Sequence, residues 1–136
     1  KAAGIAPEPR LVFSADMTEP YGYHTVMGLL EGANPPTAFL TSSLITALGV
    51  SRAIAHCGLT MGRDVSVITH DDALWFLPNQ GKVPMFTSTK SSIRAAGKRM
   101  AEMLIDAIEG RAPPNQTELW EAEFVVGTST GPAPER

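Results

Sequence analysis

At 136 residues the chain is long enough for one compact α/β domain and short for two. The net charge is −3, from 11 Lys and Arg against 14 Asp and Glu. The densest basic group, Lys90 to Arg99, is interleaved with alanines, which argues against a nucleic-acid surface carried by this chain itself. No apolar run approaches the roughly 20 residues that span a bilayer, and no segment resembles a signal peptide. The single cysteine, Cys57, excludes an internal disulfide and is expected as a buried structural thiol.

Residues 1–10 are rich in Ala, Gly and Pro and read as a linker or frayed end. Leu11 to Ser14 reads as a short buried strand. Asp16 to Pro20 is a loop, because Glu19-Pro20 disfavours helix at the residue before proline. A helix over 21–31 follows, with Tyr23, Val26, Met27 and Leu30 on one face and Gly32 at its stop. Ala38 to Leu40 is the next buried strand. Ser42 or Ser43 caps a helix from Leu44 to Cys57, since a short hydroxyl reaches a free N–H of the first turn. Leu44, Ile45, Leu48, Val50 and Ile54 make that helix apolar over most of its circumference, so it needs a second packing partner. Val65 to Ile68 is continuously apolar apart from Ser66 and suits a central parallel strand buried on both faces. Residues 72–81 are irregular, and Pro84 to Thr89 is extended. The longest helix is capped by Ser91 or Ser92 and runs to Glu109. Ile93, Ala96, Met100, Met103, Leu104 and Ala107 form its apolar face, Gly110 its end, and Pro113-Pro114 a block to resumption. Trp120 to Val126 alternates into a final strand, and the tail 131–136 is polar and Pro-rich.

The tract from Thr37 to Asp72 is therefore strand, helix, strand, ending in acidic residues. Parallel α/β sheets bind small molecules at the carboxyl ends of their strands, so its end is a candidate ligand position. No GxSxG, HExxH, P-loop or GxGxxG is present, and the scattered Ser, His and Asp have no spacing that organises a nucleophile, so the chain is not read as an enzyme. His70 and Asp71 alternate to opposite strand faces, which weakens any metal or acid–base pairing. No metal or cofactor is expected.

Three segments together resemble LacI-type bacterial repressors. They are TAFLTSSLITALGVSRAI…GLTMGRDVSVITHDD, then VPMFTSTKSSIRAAGKRMAEMLIDAIEG, then FVVGTST. The resemblance runs from Leu11 to Thr130 with the motifs in order. It implies a parallel-sheet, three-layer, periplasmic-binding-protein-like (type I) α/β fold with the effector between two lobes. It also implies that the chain corresponds to the C-terminal half of that core, without the helix-turn-helix headpiece and most of the N-terminal lobe. On that basis 11–84 and 118–130 form the C-terminal lobe. Residues 85–110 are the crossing strand and a helix that packs on the N-terminal lobe. Its apolar face would then be covered by another chain or by a rearranged contact.

The resemblance also implies site residues, each with a plainer alternative. Sugars are held by groups that accept from and donate to vicinal hydroxyls, beside an apolar wall. Asp16 matches an acidic position and could equally cap its loop. Met17 matches an aromatic that stacks on the ligand. Asp71 matches the ligand carboxylate of the strand tip, against the alternative of an Asp that caps the next turn, a role that suits Asp72 better. Ser43 keeps a polar group at a ligand position and is equally an N-cap, while Leu44 loses the family's carboxylate. Gly127 replaces the family's Arg. Leu48, Ser51, Arg52 and His56 form one helix stripe placed at a homodimer interface, against simple intrachain packing. The implied function is the effector-binding and dimerisation portion of a cytoplasmic transcription regulator, with a carbohydrate effector and no membrane partner. It would act on operator DNA only through a headpiece absent from this chain. The alternatives are an extracytoplasmic sugar-binding protein of a transporter, or an association module whose pocket has decayed.

Overall fold

Four strands, β1 (Ala38–Thr41), β2 (Ser66–Asp71), β3 (Thr87–Lys90) and β4 (Glu123–Val125), form one sheet in the order β1-β2-β3-β4. In this computed structural model, which describes residues 4, 6–71, 73–111, 113 and 116–134, β1, β2 and β3 run parallel and β4 is antiparallel to β3. The sheet is thus mixed, with three parallel strands. The expected turn role of Asp72, the residue Pro114 and the end of the tail lie outside the described residues.

Among the described residues three α-helices accompany the strands: α1 (Glu19–Leu30) before β1, α2 (Leu44–His56) between β1 and β2, and α3 (Ile93–Ile108) between β3 and β4. Each begins at a hydroxyl cap. Thr18 Oγ1 accepts the Tyr21 N–H, Ser43 Oγ the Thr46 N–H, and Ser92 Oγ the Ala95 N–H, at 3.2–3.3 Å. α1 starts two residues before the expected position. Pro20 lies in the first turn, where its missing N–H has no helical partner to lose, so proline opens this helix rather than delaying it.

The core forms where α2 meets the sheet. Ala47, Val50, Ala53 and Ile54 are buried together with Val65, Val67 and Phe86. Burying each Val or Ile side chain contributes about 1.5–3 kcal/mol. Val26 of α1 joins this core from the other side of α2, with Tyr23, Met27 and Leu30 packed around it. α2 therefore has a sheet on one side and a helix on the other, which accounts for its apolar circumference.

The register sorts the strand side chains. Phe39, Thr41, Val67, Thr69, Asp71, Ser88 and Lys90 share one face, and Leu40, Ile68, His70, Thr89 and Phe124 the other. Val67 and Phe39 pack in the α2 core, so the first face is the one α2 covers. β2 accordingly alternates between half-buried and buried positions instead of being buried on both faces. Leu40, on the second face, is 81% exposed.

Two local expectations are corrected. Leu11 to Ser14 is neither a strand nor buried. Residues Pro9–Leu11 form a 3-10 turn, and the Leu11 and Val12 N–H groups bond back to Glu8 and Pro9 carbonyls, so those donors are used locally instead of on the open edge of β1. Cys57 is half-buried at the end of α2, its Sγ 3.8 Å from the Met27 Sδ. Among the described residues no other helix or strand packs on the apolar face of α3, and Met100, Leu104 and Ile108 are exposed. Arg99 ties α3 to Glu118 at 2.7 Å. The Trp120 indole N–H and then Arg99 hold the Glu118 carboxyl below the usual carboxylate range.

The FVVGTST segment is stitched beneath the sheet. Ser129 Oγ donates to the Val67 carbonyl and accepts the Thr87 N–H, and Thr87 Oγ1 accepts the Gly127 N–H at 3.0 Å. A Cβ on Gly127 would stand 2.5 Å from the Phe86 backbone. The close approach of two backbones explains glycine at this position, where the resembled family has Arg.

Candidate functional site

A cavity of about 590 Å³ opens between the 11–17 segment, α1, β1 and the amino end of α2. Its walls are mainly apolar, including Phe13, Leu29, Phe39 and Val50. Its polar lining residues are Ser14, Asp16, Tyr21, Thr25, Thr41, Ser42 and Thr46. Hydroxyls both donate and accept, and a carboxylate accepts, so the set matches the mixed demands of a polyhydroxyl ligand beside apolar surface.

The expected ligand residues are only partly brought together. Asp16 and Met17 line this cavity, and Met17 is 57% exposed. Ser43 does not line it. Its side chain is buried and caps α2, and its neighbours Ser42 and Thr46 face the cavity in its place. Asp71 does not line it either. The residue is 3% exposed, and its Oδ1 accepts the Ala73 N–H at 2.8 Å, which closes the turn after β2. Ala73 takes a left-handed backbone, φ 54°, in that turn. The plainer roles weighed for Ser43 and Asp71 are thus both present in the structure. Asp16 and Asp71 therefore do not share the walls of this cavity.

At the strand tips the polar groups are organised in two sets, one per face. On the α2 side, Thr41 Oγ1 lies 2.8 Å from Thr69 Oγ1. On the opposite side the His70 ring contacts Thr89 Oγ1 through Nδ1 at 2.9 Å and Ser91 Oγ through Nε2 at 3.0 Å. His70 therefore satisfies neighbouring hydroxyls. Among the described residues no three His, Cys, Asp or Glu side chains come together as a metal site.

The α2 stripe is engaged with α1. Arg52 pairs with Glu19 through Nε at 2.7 Å and through a terminal nitrogen at 3.2 Å, and its guanidinium lies 3.9 Å from the Tyr23 ring centroid. The Tyr23 hydroxyl meets His56 Nδ1. Arg52 and His56 remain exposed, while Leu48 and Ser51 are half-buried. A charged and aromatic cluster on the outer surface of the α1–α2 pair is the result. Thr25, Thr41 and Thr46 were not singled out from the sequence. Thr46 was findable, as the residue one helical turn beyond the Ser43 cap.

Residues 1–130 match the family described as the periplasmic binding protein-like domain. The HTH-type transcriptional regulator AglR of Rhizobium meliloti is 46% identical over 134 residues, covering 98% of this chain and 37% of that protein. The lactose operon repressor of Escherichia coli is 32% identical over 91 residues, covering 67% of this chain and 24% of that protein. Among solved structures, the lactose repressor bound to the anti-inducer ONPF superposes with a TM-score of 0.70 at 27% identity, over 85% of this chain and 42% of the other. The complex of the transcriptional regulator CelR with cellobiose superposes with a TM-score of 0.78 at 25% identity, over 94% of this chain and 38% of the other. The chain spans less than half the length of each of these relatives. With a family match over nearly its whole length and regulators as its relatives, the chain belongs to the periplasmic-binding-protein-like family, in the form that makes up the effector-binding region of LacI-type transcriptional regulators.

Proposed function

We propose that this chain is the effector-binding and dimerisation portion of a cytoplasmic transcription regulator, that its effector is a carbohydrate, and that it has no catalytic role. The observation that carries this reading is the 46% identity to a transcriptional regulator across 98% of the chain. The regulators it resembles include one named for the lactose operon and one solved with cellobiose. Relatives of this kind do not favour the transporter alternative. The mixed lining of carboxyl, hydroxyls and apolar walls at Asp16, Thr25, Thr41, Ser42 and Thr46 supports a sugar-like ligand.

Function then requires two arrangements of the effector region with different ligand affinity, because a ligand shifts an equilibrium only by its differential binding. The dimer would pass that shift to DNA-binding headpieces. In this reading the crossing segment 85–110 carries α3 onto a second lobe, which would cover Met100, Leu104 and Ile108. Calorimetric titration of the protein with a panel of mono- and disaccharides, lactose and cellobiose included, tests the effector assignment. Saturable heat with at least one sugar is expected. Silence across the panel with self-association intact would sink the assignment and favour a decayed pocket.

A further inference from the structure

We propose that the Tyr23 cluster on the outer surface of α1 and α2 is an acid-sensitive contact with a second copy of this chain, which opens when His24 and His56 take up protons. This rests on the dimerisation reading above and adds its regulation. Two of the chain's three histidines stand in this cluster. His24 meets the Tyr23 ring edge-on, with centroids 5.1 Å apart and planes at 80°. His56 lies along the same ring, with centroids 6.0 Å apart and planes at 23°, and its Nδ1 meets the Tyr23 hydroxyl. Arg52 covers the ring at 3.9 Å and binds Glu19 through two nitrogens. His24, Arg52 and His56 are exposed in the single chain, so protons reach both imidazoles.

A second copy is the occupant this face fits. With neutral imidazoles its charges balance, Arg52 against Glu19. A two-fold contact sets the same patch against itself, and a face holding one charge of each sign can meet its own copy with opposite signs opposed. Tyr and Arg are also side chains that anchor interface cores. Leu48 and Ser51, half-buried, continue the same α2 stripe.

Imidazole is the side chain whose charge changes between about pH 5 and 8. With both rings protonated, the face carries Arg52, His24 and His56 against Glu19, and two-fold symmetry brings that excess together twice. Like charges opposed across a contact are strongly unfavourable. Protonation also reverses the bond at Tyr23: a neutral Nδ1 accepts the hydroxyl proton, whereas a protonated one only donates. The neighbouring titratable groups do not offset the charge. Glu31, at the C-cap of α1, is eight residues past Tyr23, about 12 Å along a helix axis. Cys57 turns its thiol to Met27. Asp71, the titratable side chain on the α2 face of β2, lies on the opposite side of α2 from α1 and holds the Ala73 N–H. Within one chain, the carbonyls that end α2 at His56 favour a charged imidazole. Separated chains thus bind these protons more readily than the dimer does, and acid shifts the balance to monomers.

Sedimentation equilibrium of the protein and of the His24→Gln, His56→Gln double variant, at about pH 7.5 and about pH 5.5, with and without about 0.5 M sodium chloride, tests this. The dissociation constant of the parent dimer is expected to rise at least about tenfold at the lower pH. Salt should reverse part of that loss, and the double variant should associate alike at both values. Far-ultraviolet dichroism is expected to stay unchanged; its loss at the lower pH would assign the dissociation to unfolding and overturn the proposal. A parent dimer equally tight at both values overturns it and leaves the dimerisation reading standing. So does a double variant that still comes apart in acid. Should the double variant be monomeric throughout, the single variants and salt decide: acid dissociation that salt does not relieve overturns the proposal. A parent that is monomeric at both values defeats both readings.

Discussion

Gly49 of α2 lies directly against the Glu19 carbonyl of α1, and a Cβ there would stand 2.0 Å from that oxygen and 2.7 Å from the Tyr23 nitrogen. Two helix backbones meet at this glycine. Gly49→Ala must therefore separate α1 from α2 and disturb Val26 in the core. A loss of about 1–3 kcal/mol is expected from overpacking. Gly28, in the same α1, has open space where its Cβ would go. Gly28→Ala should stabilise by about 0.5–1 kcal/mol through helix propensity. Urea unfolding of both variants checks the pair, and equal behaviour would contradict the close approach.

The same contact explains what was legible in the sequence. The Leu44–Cys57 helix asked for two partners through its apolar circumference, and it has the sheet and α1. Caps at Ser43 and Ser92 were readable because they depend on a few neighbouring residues. Leu11 to Ser14 has the apolar character of a strand but no paired edge, and the 3-10 turn opened by Pro9 takes in Leu11 itself. The candidate site was less legible. Ser43 and Asp71 were placed by position along the chain, yet their side chains cap a helix and a turn. Thr25 lines the cavity through helix geometry that no local motif announces.

Arg52 grips Glu19 and covers Tyr23 on the outer face of α1–α2. The pair is largely exposed, so within one chain its loss should cost no more than about 1 kcal/mol. Arg52→Glu places like charges together at Glu19 and at any second copy docked on the stripe of Leu48, Ser51, Arg52 and His56. The expected outcome is an unchanged far-ultraviolet dichroism spectrum with the dimer mass replaced by the monomer mass in light scattering, and a melting temperature that no longer depends on protein concentration. A variant as dimeric as the parent would remove this stripe from the interface.

Asp64 gives a pH dependence with a definite sign. The Arg63 guanidinium, and then the Thr60 N–H, hold its carboxyl at about 2, below the ordinary 3.8. The folded value is the lower one, so the unfolded chain takes up the proton first as pH falls. Its contribution is fully present above about pH 3.8 and is lost as pH falls through about 2. Thr60 amide exchange should therefore quicken between those values, and Asp64→Asn should remove the transition. An unchanged profile in Asp64→Asn would assign the acid response elsewhere.

Asp71 can be divided into its two roles by substitution. Its Oδ1 closes the turn at Ala73, which an uncharged amide oxygen can also do. Asp71→Asn should retain the turn and the fold, while Asp71→Ala should lose the bond to the Ala73 N–H and about 1 kcal/mol. If the carboxylate also binds effector hydroxyls, Asp71→Asn loses charge-assisted hydrogen bonds, each stronger by about 1 kcal/mol than its neutral counterpart. The dissociation constant should then rise roughly tenfold or more with stability almost unchanged. Calorimetry and thermal melting on the two variants separate the contributions. Parental sugar affinity in Asp71→Asn would leave Asp71 as a turn residue alone and move ligand recognition to the cavity beside Asp16.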